Sequence, residues 1–150
     1  MSSPDPLSLE RQVCFALTVA SRSVVAAYKP VLEPMGITHP QYLVMLALWA
    51  EEPLTVSELA ERLHQDAPTL SPLLKRLETR GLVKRMRSTT DERRLQISLT
   101  DEGAALRSQA AEVPFEMAKR LGMEPGRLVE LHEAMIELIE ASQRSLETEA

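Results

Sequence analysis

The 150 residues predict a mainly α-helical fold with one small β-hairpin, and three observations carry that prediction. Apolar residues recur at the i, i+3, i+4, i+7 spacing of a helix over most of the chain. Strand-type patterning is confined to "LVKRMRS" and "LQISLT", on either side of the charged "TTDERR". Apolar and charged residues make up 44% and 26% of the chain, ordinary for a globular protein, and 3% aromatic content leaves little stacking surface for single-stranded nucleic acid. A chain of this size buries about 68–70% of its unfolded surface, so one domain over 1–150 is expected.

Residues 8 to 33 set Val13, Leu17, Ala20, Val24, Tyr28 and Leu32 along one side of a long first helix, bent by Pro30 and ended by "EPMG". Thr38 and Gln41 stand at capping-box spacing and open a second helix to Glu51. Thr55 and Glu58 repeat the signature before the stripe Val56, Leu59, Ala60 and Leu63, which makes a short third helix. In "TLSPLLKRLETRG", Leu70, Leu73, Leu74 and Leu77 form a buried stripe, with Pro72, Lys75, Arg76 and Thr79 opposite and Gly81 as a stop. Ser71-Pro72 offers a later start for this helix. In the second strand, Leu95, Ile97 and Leu99 alternate onto one side. Thr100 caps a helix with two acids in its first turn, running to Gly122 with a kink at Pro114. Pro125 opens a last helix with Leu128, Leu131, Met135, Leu138 and Leu146 near one face. Both end helices are longer than the small middle lobe can cover, which favours a second copy of the chain over packing within one chain.

Charge is distributed unevenly. Thr69 to Thr100 holds eight Lys or Arg (75, 76, 80, 84, 85, 87, 93, 94) against three acids (78, 91, 92), a local +5 in a chain that totals −5. Two short helices joined by a tight break, followed by a basic two-stranded ribbon, make a winged helix-turn-helix. In that geometry the second helix enters the major groove of duplex DNA through Thr69, Ser71, Pro72, Lys75 and Arg76. The ribbon carries Arg87 and puts Arg93 into the narrow minor groove, with Asp91 orienting the arginine fork through charge-assisted hydrogen bonds.

Other classes fit less well. "MSSPDPLS" has neither basic nor apolar leader character, and the longest apolar run, Tyr42 to Ala50, is far short of a membrane span, so a cytoplasmic location is expected. His39, His64 and His132 are isolated and no Cys-x-x-Cys pair exists, so neither a metal nor another cofactor is called for. A thiol peroxidase using the single cysteine, Cys14, lacks a resolving cysteine and leaves the basic ribbon unexplained, so the chain is read as a binding protein rather than an enzyme.

The run "GLVKRMRSTTDERRLQISLTDEG" resembles the wing of MarR-family winged-helix repressors, including the Asp-x-Arg tip at Asp91 and Arg93. "QVCFALTVASRSVVAAYKPVLEPMGITHPQYLVMLALW" with "TLSPLLKRLETRGLV" is similar to the organic-hydroperoxide-sensing branch of that family. The resemblance implies a homodimer, with dimerisation helices over about 8–35 and 101–148 and winged lobes over about 38–100 on a palindromic operator. It also implies that an organic hydroperoxide oxidises Cys14 to a sulfenic acid, which releases the DNA and derepresses a detoxifying gene. With one cysteine, a low-molecular-weight thiol or overoxidation completes the switch.

In the family, tyrosine hydroxyls serve the thiolate, and Tyr28 matches one of them. His39 stands where many members have a second tyrosine, Thr18 replaces an aromatic, and Pro68 replaces a usual glycine. Cys14, Ser21 and Tyr28 are seven apart and share a helix face, yet a rise of 1.5 Å per residue separates Cys14 from Tyr28 by about 21 Å. If they meet, the first helices of two subunits run antiparallel, with Tyr28 and His39 of one beside Cys14 of the other. The rival reading is a MarR-type repressor released by a small phenolic or aromatic ligand, with Cys14 as packing.

Overall fold

The computed structural model describes residues 5–87 and 94–148, in two compact units, Met1–Val113 and Pro114–Ala150. In the first unit helix α1 covers Val13–Leu32 and begins later than predicted. Leu9–Arg11 form a separate 3-10 turn, and Gln12 is extended, its side-chain amide donating to the carbonyls of Pro6 at 2.7 Å and Ser8 at 3.0 Å. Pro30 lies inside α1 without ending it. The chain leaves through a 3-10 turn at Glu33–Met35 and Gly36, whose φ of 68° is left-handed and suits glycine.

Helix α2, His39–Ala50, starts at the predicted capping box: the Thr38 hydroxyl accepts from the Gln41 N–H, and the Gln41 side chain accepts from the Thr38 N–H. Strand β1, Leu54–Thr55, leads directly into helix α3, Val56–Leu63, where Thr55 and Glu58 form the second capping box. Helix α4 is Ala67–Thr79. The later start at Ser71-Pro72 does not occur. Asp66 accepts from the Thr69 N–H at 3.1 Å, Pro68 occupies the first turn where its missing N–H costs nothing, and Pro72 lies inside the helix.

Strands β2, Val83–Arg87, and β3, Leu95–Leu99, pair antiparallel as expected. The expected two-stranded ribbon is one strand richer, because Leu54 and Thr55 of β1 pair with Ile97 and Gln96 of β3, in the order β1-β3-β2. Two residues that also cap a helix show no alternation, so only the folded chain reveals that strand. Helix α5, Asp101–Ala110, is capped by the Thr100 hydroxyl, which accepts from the Gly103 N–H at 3.0 Å. A Cβ on Gly103 would overlap the Leu82 carbonyl, so glycine is what lets α5 approach this closely, and Trp49 Nε1 donates to the Gly103 carbonyl at 2.9 Å. The helix predicted to run to Gly122 with a kink is two helices. It stops at Ala110, and α6, Val113–Leu121, restarts with Pro114 in its first turn, the position proline tolerates.

The core of the first unit is formed by Leu48, Leu59, Leu70, Leu74, Leu77 and Ile97, each at most 1% exposed. Of α1, only Leu32 is buried. In the second unit, α7 spans Pro125–Glu147 and buries no residue. Among the described residues no helix is long and apolar enough to cross a membrane.

Candidate nucleic-acid face and thiol neighbourhood

The turn between α3 and α4 passes through His64 in the left-handed region (φ 53°) and sets α4 with its leucines inward. Leu70, Leu74 and Leu77 are buried, which by the helical period turns Thr69, Ser71, Pro72, Lys75 and Arg76 outward, and all five are exposed. Leu73, predicted in the buried stripe, is half-buried at its edge. The Ser71 hydroxyl donates to the Ala67 carbonyl at 3.1 Å, an intrahelical bond that draws it toward its own backbone.

The basic residues divide into two groups. Arg85 Nε lies 2.7 Å from a Glu78 carboxylate oxygen, and the Arg80 guanidinium donates to the carbonyls of Gly36 at 2.5 Å and Met35 at 3.4 Å. Lys75, Arg76 and Lys84 are exposed and make no ion pair among the described residues. Arg87 ends β2 opposite Leu95, exposed. Arg94 lies near enough to Glu58 to favour its charged form. Asp91 and Arg93, the expected wing tip, lie outside the described residues.

Cys14 is exposed at the second position of α1, and the Thr18 hydroxyl donates to its carbonyl at 2.8 Å. Tyr28 lies two heptads further along the same helix, so within one chain the two stay apart, as the spacing required. Tyr28 and His39 do come together, with ring centroids 5.0 Å apart and planes tilted by 59°. Sequence reasoning missed the third ring, Tyr42, 5.8 Å from Tyr28 at 39°. Its three-residue spacing from His39 puts both on one side of α2, a signal that was masked by its place in an apolar run. Burial pushes the Tyr28 hydroxyl above the ordinary tyrosine range and does the same for Tyr42, where nearby Tyr28 adds to it. Burial also holds His39 below the usual histidine value, which favours the neutral ring.

Beside this cluster, α1, α2 and α4 enclose a recess of about 460 Å³ whose wall includes Val25, His39, Leu43, Leu73 and Arg76. Among the described residues no group of three or more His, Cys, Asp or Glu could hold a metal ion.

A helix-turn-helix whose second helix presents cations outward, followed by an antiparallel ribbon, defines the winged-helix class of DNA-binding folds. The chain belongs to the MarR family. That family's profile matches residues 37–95, and the chain is 43% identical over 139 residues to the organic hydroperoxide resistance transcriptional regulator of Bacillus subtilis, covering 91% of this chain and 92% of the relative. Among solved structures it resembles reduced AbfR bound to DNA (TM-score 0.73, 36% identity, 91% of each chain). It also resembles overoxidized AbfR bound to DNA (TM-score 0.71, 36% identity, 89% of this chain and 93% of that one). AbfR is a protein of Staphylococcus epidermidis.

Proposed function

We propose that this chain is a homodimeric, cytoplasmic transcriptional repressor whose hold on a palindromic operator is released when an organic hydroperoxide oxidises Cys14. The observation that carries the reading is the contact of Tyr28 with His39, two heptads along α1 from an exposed Cys14, a spacing that an antiparallel pair of α1 helices would bring together. The exposed apolar side chains of α1 and α7 supply surface for such a dimer, including Val13, Leu17, Val129 and Ile139. Thr69, Ser71, Pro72, Lys75 and Arg76 read or position on the major groove, while Arg87, Asp91 and Arg93 serve the wing. Similarity to a regulator named for organic hydroperoxide resistance, and to one crystallised on DNA both reduced and overoxidized, supports a redox-sensitive MarR-type repressor.

In the sensing step the Cys14 thiolate attacks a peroxide oxygen. The O–O bond breaks, sulfur is oxidised by two electrons to the sulfenic acid, and the leaving alkoxide takes a proton to become the alcohol. In this reading the Tyr28 hydroxyl of the second copy, whose protonated form burial favours further, donates a hydrogen bond to the thiolate, with His39 beside it in the neutral form that burial favours. A low-molecular-weight thiol then condenses with the sulfenic acid and expels water to give a mixed disulfide, or a second hydroperoxide oxidises it to the sulfinic acid and leaves as the alcohol, and either product completes the switch.

The test is operator binding before and after stoichiometric cumene hydroperoxide, with the mass of the Cys14 peptide followed in parallel. The expected result is release by oxidant in the wild type and none in Cys14→Ser. A second reading, release by a small aromatic ligand, draws support from the 460 Å³ recess, a volume within the ordinary range for small-molecule sites, with Arg76 on its wall. It predicts release of Cys14→Ser by a phenolic carboxylate and indifference of the wild type to hydroperoxide.

A further inference from the structure

We propose that Tyr42 is a positioning residue for the thiol reaction, holding from the buried side the Tyr28 ring whose hydroxyl serves Cys14 of a second copy. The inference rests on the sensing role proposed above and adds a residue to it. His39 and Tyr42 are one helical turn apart on α2, and the Tyr28 ring of α1 lies within aromatic contact of both, at 5.0 and 5.8 Å. The two walls differ. His39 is half-buried at the start of α2, whereas Tyr42 is 5% exposed and set among the core residues of that helix.

A phenol on a helix has two soft dihedrals, and two tilted ring neighbours from α2 restrict them, which narrows where its hydroxyl can point. Tyr42 is too deeply buried to meet a thiol on another chain, so any effect on Cys14 must pass through Tyr28. The proposed contact is that of the Tyr42 ring, and the substitutions that separate ring from hydroxyl follow directly.

The experiment compares full-length reduced protein with Tyr42→Phe, the ring-less Tyr42→Met and Tyr42→Leu, Tyr28→Phe, and the double variant Tyr28→Phe/Tyr42→Met. Cumene hydroperoxide is added with a sulfenic-acid trap, and two quantities are read: the rate of Cys14 labelling and the pH midpoint of Cys14 alkylation. Circular dichroism shows which ring-less variants keep the fold. Tyr42→Phe is expected to match the wild type. A folded ring-less variant is expected to label roughly threefold to tenfold more slowly, the loss of about one aromatic contact's worth of positioning. Its alkylation midpoint should move in the same direction as in Tyr28→Phe, and the double variant should be no slower than Tyr28→Phe alone. Wild-type chemistry in a folded ring-less variant, with Tyr28→Phe slowed, overturns the role of Tyr42 and leaves the sensing role standing. Extra slowing in the double variant, or loss of fold in both ring-less variants, also overturns it. Unchanged thiol chemistry in Tyr28→Phe removes the sensing role of Tyr28 and this inference with it.

Discussion

Helices α1 and α2 are neighbours in the chain and treat solvent in opposite ways. The 12 residues of α2 include six buried ones, whereas the 20 residues of α1 include one, Leu32. The surface of α1 is nonetheless apolar, with Val13, Leu17, Val19, Val24 and Val25 exposed by between 37% and 66%. Helix α2 completes a core within its own unit. Helix α1 carries apolar surface that its own unit leaves uncovered, and α7 repeats the pattern in the other unit. An amphipathic stripe therefore says that a face will be buried somewhere, without saying in which chain.

The largest effect that sharpens this contrast lies in the lobe. Leu74→Ala deletes a side chain that is 1% exposed and should cost about 2–5 kcal/mol in urea unfolding, with a midpoint shift that does not depend on protein concentration. Leu17→Glu on α1 should behave differently. The wild-type Tm should rise with protein concentration, and the variant should lose that dependence and sediment as a monomer. A wild-type Tm that is flat over a hundredfold concentration range would break the contrast.

Next in size is the α3 capping box, where Thr55→Ala should cost about 1 kcal/mol. The Thr55 side chain first, and its backbone N–H second, hold the Glu58 carboxyl below its ordinary value of 4.5. A carboxyl depressed in the folded state stabilises fully above that value and loses the contribution as pH falls through the folded one, so Thr55→Ala should flatten acid unfolding below pH 4.5. His39 gives a smaller slope. Its folded value lies below 6.5, so the unfolded chain takes up the proton first, and stability should decline as pH drops below 6.5. His39→Gln should remove that decline, while loss of the ring contact with Tyr28 adds a pH-independent lowering of the urea midpoint.

The smallest effects concern single surface cations. Lys75→Ala should lower the slope of log affinity against log salt on operator DNA by about one unit. Arg80→Ala should leave that slope unchanged, since its guanidinium is held by two backbone carbonyls.

The parts that were legible in sequence are those fixed by near neighbours. Both capping boxes, at Thr38 and Thr55, need groups three residues apart, and the outward face of α4 follows from its leucine period. Strand β1 was not legible, because its pairing with β3 joins Leu54 to Ile97 across the whole helix-turn-helix. The division of α5 from α6 was read as a kink, since proline signals a discontinuity without saying whether the helix resumes in line. In the site, the heptad from Cys14 to Tyr28 was visible, but Tyr42 was not, because a tyrosine in an apolar run looks the same whether or not another ring lies against it. Net charge misleads in a related way. It counts Arg80 and Arg85 with Lys75 and Arg76, although the first two are engaged within the chain.

The Arg80 bonds have a mechanical consequence. They tie the last turn of α4 to the bend at Met35 and Gly36, the point where the chain leaves α1. A swivel of α4 must either drag that bend along or break two charge-assisted hydrogen bonds, so the joint acts as a strut. Displacement at the foot of α1 would thereby reach the C-terminal end of α4, the helix proposed to enter the groove.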